Sequence, residues 1–132
     1  MDRSERAKVI MTMLQEEGFS PSIDQDGDVK FKYESGNYFI QVPETDETYF
    51  MLAYPQFWSI ENEGERKRVH AAALAVTQKV KAAKVYPVRD DTWATIEMFC
   101  SSPEVVRPVL RRCLGAIQSA VMEFRRQMHE DT

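Results

Sequence analysis

Asp24, Asp26 and Asp28 fall within five residues around Gly27, a pattern that suggests a divalent cation. The twelve-residue calcium loop needs its glycine sixth and a glutamate twelfth. Counted from Asp24, the glycine here is fourth and the twelfth residue is Ser35. The run reads instead as a hairpin turn. Cys100 and Cys113 form no CxxC and fall at a strand end and on the apolar stripe of a helix, where a small hydrophobe suffices. His70 and His129 lie on separate helical segments with no cysteine or acid at ligand spacing, so no metal site is expected. Ser35 and Ser119 lack a base and an orienting group, and no glycine-rich loop opens a helix. The sequence offers no catalytic residue, no cofactor-binding residue and no metal ligand, so the expectation is a non-catalytic protein without a cofactor.

Binding chemistry is the alternative. Tyr54, Phe57 and Trp58 follow one another around Pro55, after an apolar strand and before a charged helix start. Large aromatics with polar edges suit a protein interface, and they equally suit a lid folded back on the core. Arg107, Arg111, Arg112, Arg125 and Arg126 share the polar side of the closing helix, with Trp93 and Phe99 as possible stacking partners. A nucleic-acid-binding regulator using that arginine face is therefore an alternative, which the acidic net charge of −4 weakens, and an unrecognised enzyme is the other.

The chain has 132 residues, enough for a single domain, 1–132, with one core. Apolar residues make up 43% and charged ones 29%, a globular balance. The longest apolar runs fall far short of the roughly 20 residues of a spanning helix, and the charged N-terminus does not read as a secretory signal. No membrane association is expected, and the expected location is the cytoplasm. Charge is uneven: residues 1–65 carry −9 and residues 66–132 carry +5. Solvated faces of each sign would account for it, as would a bipolar molecule that pairs with itself or with an opposite partner.

These residues must be held by elements that the periodicity specifies. A helix is expected over 3–17, capped by Asp2 with Glu5 at capping-box spacing and stopped by Gly18, with Arg6 on its polar side. Val29, Phe31 and Tyr33 alternate with polar residues as a strand, bounded by turns at Asp26-Gly27 and Ser35-Gly36-Asn37. Tyr38, Ile40 and Val42 form the next strand. Residues 48–54 are apolar on both faces and predict a covered, central strand. A helix over 63–83 presents Val69, Ala72, Ala73, Val76, Val80 and Ala83. Two strands follow, joined at Asp90-Asp91, the first placed on an edge by Pro87. The closing segment, 103–128, repeats Val106, Val109, Leu110, Cys113, Ile117, Val121, Phe124 and Met128 at helical spacing. Pro108 requires either a separate first turn or a kink.

The resulting α+β order, α-βββ-α-ββ-α, predicts an antiparallel sheet with the long second and third helices packed on one face. That order, the acidic hairpin Asp24-Gln-Asp-Gly-Asp28, the alanine-rich helix entering a Val-Tyr-Pro-Val strand, and the closing helix after Ser-Pro-Glu resemble the YbjN family, which shares its fold with class I type III secretion chaperones. The resemblance implies a protein-binding or chaperone-like regulatory module, often dimeric, and supplies no motif residues to carry over. Phe39, Phe50, Leu52, Phe57, Trp58 and Phe99 are expected together on the uncovered sheet face, which predicts a homodimer. The expected partner is thus another protein or a second copy of the chain, meeting Tyr54, Phe57 and Trp58.

Overall fold

A computed structural model describes residues 1–130. Helix α1 (Arg3–Glu16) is followed by strands β1 (Ser22–Ile23), β2 (Val29–Tyr33), β3 (Gly36–Gln41) and β4 (Tyr49–Tyr54). Helix α2 (Glu63–Lys79) leads to β5 (Lys84–Val88) and β6 (Asp91–Phe99). A short 3₁₀ helix (Pro103–Val109) then opens directly into α3 (Leu110–Glu130). The fold is α+β, with the strands in one antiparallel sheet ordered β1-β2-β3-β4-β6-β5.

The described chain gathers into two units, residues 1–53 with 97–110 and residues 54–96 with those from 111 on. In the first, Asp2 caps α1 by accepting from the Glu5 N–H at 2.8 Å, as its spacing predicts. Gly18, at φ 93°, closes the helix: its N–H donates to Gln15, and that of Phe19 donates to Leu14. These two bonds are the Schellman pattern, and Phe19 packs edge-on to Phe31 and Tyr33 beyond it. Ala7, Ile10, Met13 and Leu14 are buried on α1.

Arg6, assigned to the polar side, is also buried, at 7% exposure. Its guanidinium donates to the carbonyls of Met1, Pro43 and Glu44 and to the Glu47 carboxylate, which ties α1 to the loop before β4. Periodicity missed this because the arginine's partners are loop carbonyls about 40 residues away. The β2–β3 turn is also one residue earlier than expected. Tyr33 pairs with Gly36, so Glu34 and Ser35 are the two loop residues, both at positive φ (46° and 70°). Strand β4 is buried on both faces, as its composition predicts, and Phe50 and Leu52 therefore belong to the core. The exposed aromatic patch expected from the sequence loses these two members.

The second unit is built on the β5–β6 hairpin, with Pro87 on β5, the last strand of the order. Its turn is Arg89-Asp90, with Arg89 at φ 56°. Helix α2 ends at Lys79, short of the expected 83, because the chain leaves helical geometry at Val80 (ψ 159°). Thr77 Oγ1 then accepts the Val85 N–H at 2.9 Å and fastens α2 to β5. Helix α3 runs antiparallel to α2, joined by Arg68 to the Met128 carbonyl at 2.8 Å and Lys79 to Glu123 at 2.9 Å. Its buried stripe is Cys113, Leu114, Ile117, Ala120, Val121, Phe124 and Met128. Val109, expected on that stripe, is 45% exposed. It belongs to the preceding 3₁₀ helix, whose three-residue turn puts it out of phase. Pro108 thus sits in that separate turn rather than kinking α3.

Candidate functional site

Residues 54–60 form a strap along the start of β6. The Phe57 N–H donates to the Thr92 carbonyl at 3.0 Å and the Ile60 N–H to that of Asp90 at 2.9 Å, after Gln56 turns at φ 55°. This places Tyr54 and Phe57 in a parallel stack, centroids 5.8 Å apart. Phe57 and Trp58 both meet Phe124 of α3 edge-on, at 5.3 and 5.6 Å, and Trp58 also meets His129 at 6.2 Å. All three predicted binding residues are half-buried while Phe124 is fully buried. The structure therefore does bring Tyr54, Phe57 and Trp58 together, with Phe57 and Trp58 against Phe124 and Tyr54 stacked on Phe57.

The arginine face is divided. Arg107 is held by Glu16 and Glu17 at 3.0 and 3.2 Å, and its pKa is raised first by the Glu17 hydrogen bond. Arg126 is clasped by Glu123 and Glu130. Glu123 in turn accepts from Arg126, Lys79 and Gln127, and its carboxyl is held at about 2 against an ordinary 4.5, chiefly by the Arg126 bond. Arg107 and Arg126 are thus neutralised within the fold, which breaks the continuous basic face expected for nucleic acid.

The acidic hairpin is likewise engaged. Asp24 Oδ1 accepts the N–H groups of Asp26 and Asp28, and Asp28 Oδ1 accepts the Val42 N–H at 2.9 Å and an Arg3 N–H at 3.3 Å. Burial pushes the Asp28 carboxyl above its ordinary value, against the opposing Val42 bond. Gly27 turns at φ 86°, and a side chain there would meet the Arg3 guanidinium at 2.2 Å. Cys100 and Cys113 are free thiols, and burial pushes the pKa of both up. Among the described residues no group of three or more His, Cys, Asp or Glu is arranged to hold a metal ion. No helix of the described residues is long and apolar enough to cross a membrane.

Sequence reasoning missed a groove of about 550 Å³ between α2 and β5, lined by Ala73, Leu74, Thr77, Val85, Tyr86 and Pro87. Leu74 is 64% exposed, a large apolar side chain off the Val69/Ala72/Ala73/Val76 stripe. That phase mismatch was visible in the sequence. Residues 66–89 hold seven Lys and Arg and no Asp or Glu, and Lys84 among them lines the groove.

Among solved structures, the fold matches the crystal structure of an uncharacterized protein from Methanothermobacter thermautotrophicus with a TM-score of 0.68. The identity is 13%, over 96% of this chain and 98% of that one. At that identity the likeness shows an α+β fold of the same class and no more. No family model and no curated protein matches the sequence, so the resemblance to the YbjN family gains nothing from these comparisons.

Proposed function

We propose that this chain is a non-catalytic protein-binding module of the chaperone-like or regulatory kind, and that its α2–β5 groove takes an acidic protein segment bearing apolar side chains. The observation that carries the reading is Leu74, exposed beside Tyr86 and Pro87 in a stretch with seven cations and no acid. An apolar floor favours apolar side chains, and Lys84 in the lining favours acidic flanks over basic ones. The resemblance to the YbjN family and its chaperone fold relatives supports the same class.

The test is capture from native extract by three proteins: the parent, Leu74→Asp and Trp58→Ala. Leu74 is exposed, so Leu74→Asp should melt like the parent while losing a partner that the parent retains. The partner's segment cross-linked to β5 should carry an excess of Asp and Glu. Trp58→Ala should lower stability by about 2–4 kcal/mol if Trp58 is chiefly a cover for Phe124. A partner kept by Leu74→Asp but lost by folded Trp58→Ala would move the site to the aromatic strap. Identical capture by all three would refute both locations.

A further inference from the structure

The α2–β5 groove runs along an edge of the sheet, since β5 is the last strand of the order among the described residues. An open edge ordinarily invites an added strand. Here the backbone leaves nothing for one to pair with. Along an antiparallel hairpin, residues whose N–H and C=O face the partner strand alternate with residues whose groups face away. The two-residue turn after Val88 sets the phase: Val88, Tyr86 and Lys84 face β6, whereas Pro87 and Val85 face outward, and Ala83 just before the strand continues that phase. Pro87 has no N–H. The Val85 N–H is given to Thr77 Oγ1 at 2.9 Å and that of Ala83 to the Lys81 carbonyl at 2.7 Å. The Val85 carbonyl accepts from the same Thr77 hydroxyl at 3.3 Å. All three outward positions therefore lack a donor for a further ladder.

The wall made by α2 has a different character. His70, Ala73, Leu74 and Thr77 line the groove at the three- and four-residue steps of one helical stripe, two turns or about 10 Å long. Ala73 in its middle allows close approach, and the exposed Leu74 stands out as a ridge that a neighbouring helix can receive in its own groove. Given the groove as the binding site proposed above, we infer that the partner segment occupies it as an amphipathic α-helix lying along α2, with its apolar stripe on Leu74 and its acidic face toward the basic side chains at the rim. A helix satisfies its own backbone and asks no hydrogen bond of β5. Lys84 lines the groove, and Lys67 is exposed a turn before His70 on the same flank of α2, so cations stand at the rim for the acidic face to meet.

Two labelled peptides of about 14 residues, close to four helical turns, are the probes, titrated by fluorescence anisotropy into the full chain at fixed ionic strength. Both have one composition of Leu, Ala and Glu; the first repeats Leu at three- and four-residue steps, the second at every other residue. The first should bind saturably and gain helical circular dichroism in the complex, and the second should bind at least about tenfold more weakly. Proline at the centre of the first should weaken it about a hundredfold, the cost of breaking a helix. Leu74→Asp, melting like the parent, should abolish binding, and Arg125→Gln, on α3 outside the groove, should bind like the parent. Equal binding by the two peptides, or full binding by the proline peptide, with the loss in Leu74→Asp retained, would overturn the helix and keep the groove. Binding untouched by Leu74→Asp, or weakened equally by Arg125→Gln, would overturn the groove as well, in favour of diffuse attraction to a basic surface. No saturation of the first peptide up to about 1 mM would also overturn the helix, and leave the groove to be judged by capture of a native partner.

Discussion

Arg6 is the residue whose role departs furthest from its sequence position. A guanidinium buried to this degree is tolerated because three backbone carbonyls and a carboxylate accept from it. Glu47 is half-exposed, so the ion pair itself is screened; the larger part of the effect belongs to carbonyls that would otherwise lack partners. Arg6→Met keeps the stem and removes the fork, and should cost about 2–4 kcal/mol. In a chain of this size that is a fall in Tm of about 10 °C or more by thermal melting. A change of only a degree or two would mean that water replaces the guanidinium without loss. Nothing in the spacing of α1 marks Arg6 as buried, because helical period reports which side a residue is on and not whether a distant loop covers it. Asp2 and Gly18 were legible for the opposite reason: caps act on backbone groups within a few residues.

At the level of elements, sequence period located every helix and every strand except the two-residue β1, and it erred where periods change. It carried α2 to residue 83 because Val80 and Ala83 continue the apolar phase; the chain turns out at Val80 and reaches Ala83 through Ala82 at φ 65°. It gave Val109 to the α3 stripe because a 3₁₀ turn and an α turn look alike over a few residues. The ion cluster joining α2 to α3 was also out of reach, since it depends on Lys79 and Glu123 meeting across 44 residues. Its consequence is a specific pH dependence. Glu123 is held at about 2 against 4.5, so the cluster stabilises the folded chain above about pH 4.5, and that contribution is lost as the pH falls through about 2. Glu123→Gln should therefore melt below the parent at neutral pH, with the gap shrinking under pH 4.5 and closing near pH 2. Melting both proteins across that range checks it; a gap that stays constant with pH would show that shape, not charge, links the helices.

For the whole molecule the open matter is self-association, and the candidate site of the sequence bears on it. The aromatics around Pro55 were legible as a group, but their burial was not: Phe57 and Trp58 are committed to Phe124 by strap hydrogen bonds that no alternation encodes. With Phe50 and Leu52 in the core as well, a homodimer can no longer be argued from one apolar patch. Phe99 is 77% exposed, and single exposed apolar side chains are ordinary on protein surfaces. What favours pairing is the charge division, −9 over residues 1–65 against +5 over the rest. We therefore expect a homodimer held chiefly by charge. Such pairing weakens as the screening length falls from about 30 Å at 0.01 M salt to about 3 Å at 1 M. Light scattering at micromolar concentration should return twice 15.3 kDa in low salt and approach 15.3 kDa as salt is raised. A two-chain mass unchanged in high salt would require an apolar interface instead. One-chain mass at the lowest salt would end the case for self-pairing and leave the basic second half of the sequence to an acidic partner of another kind.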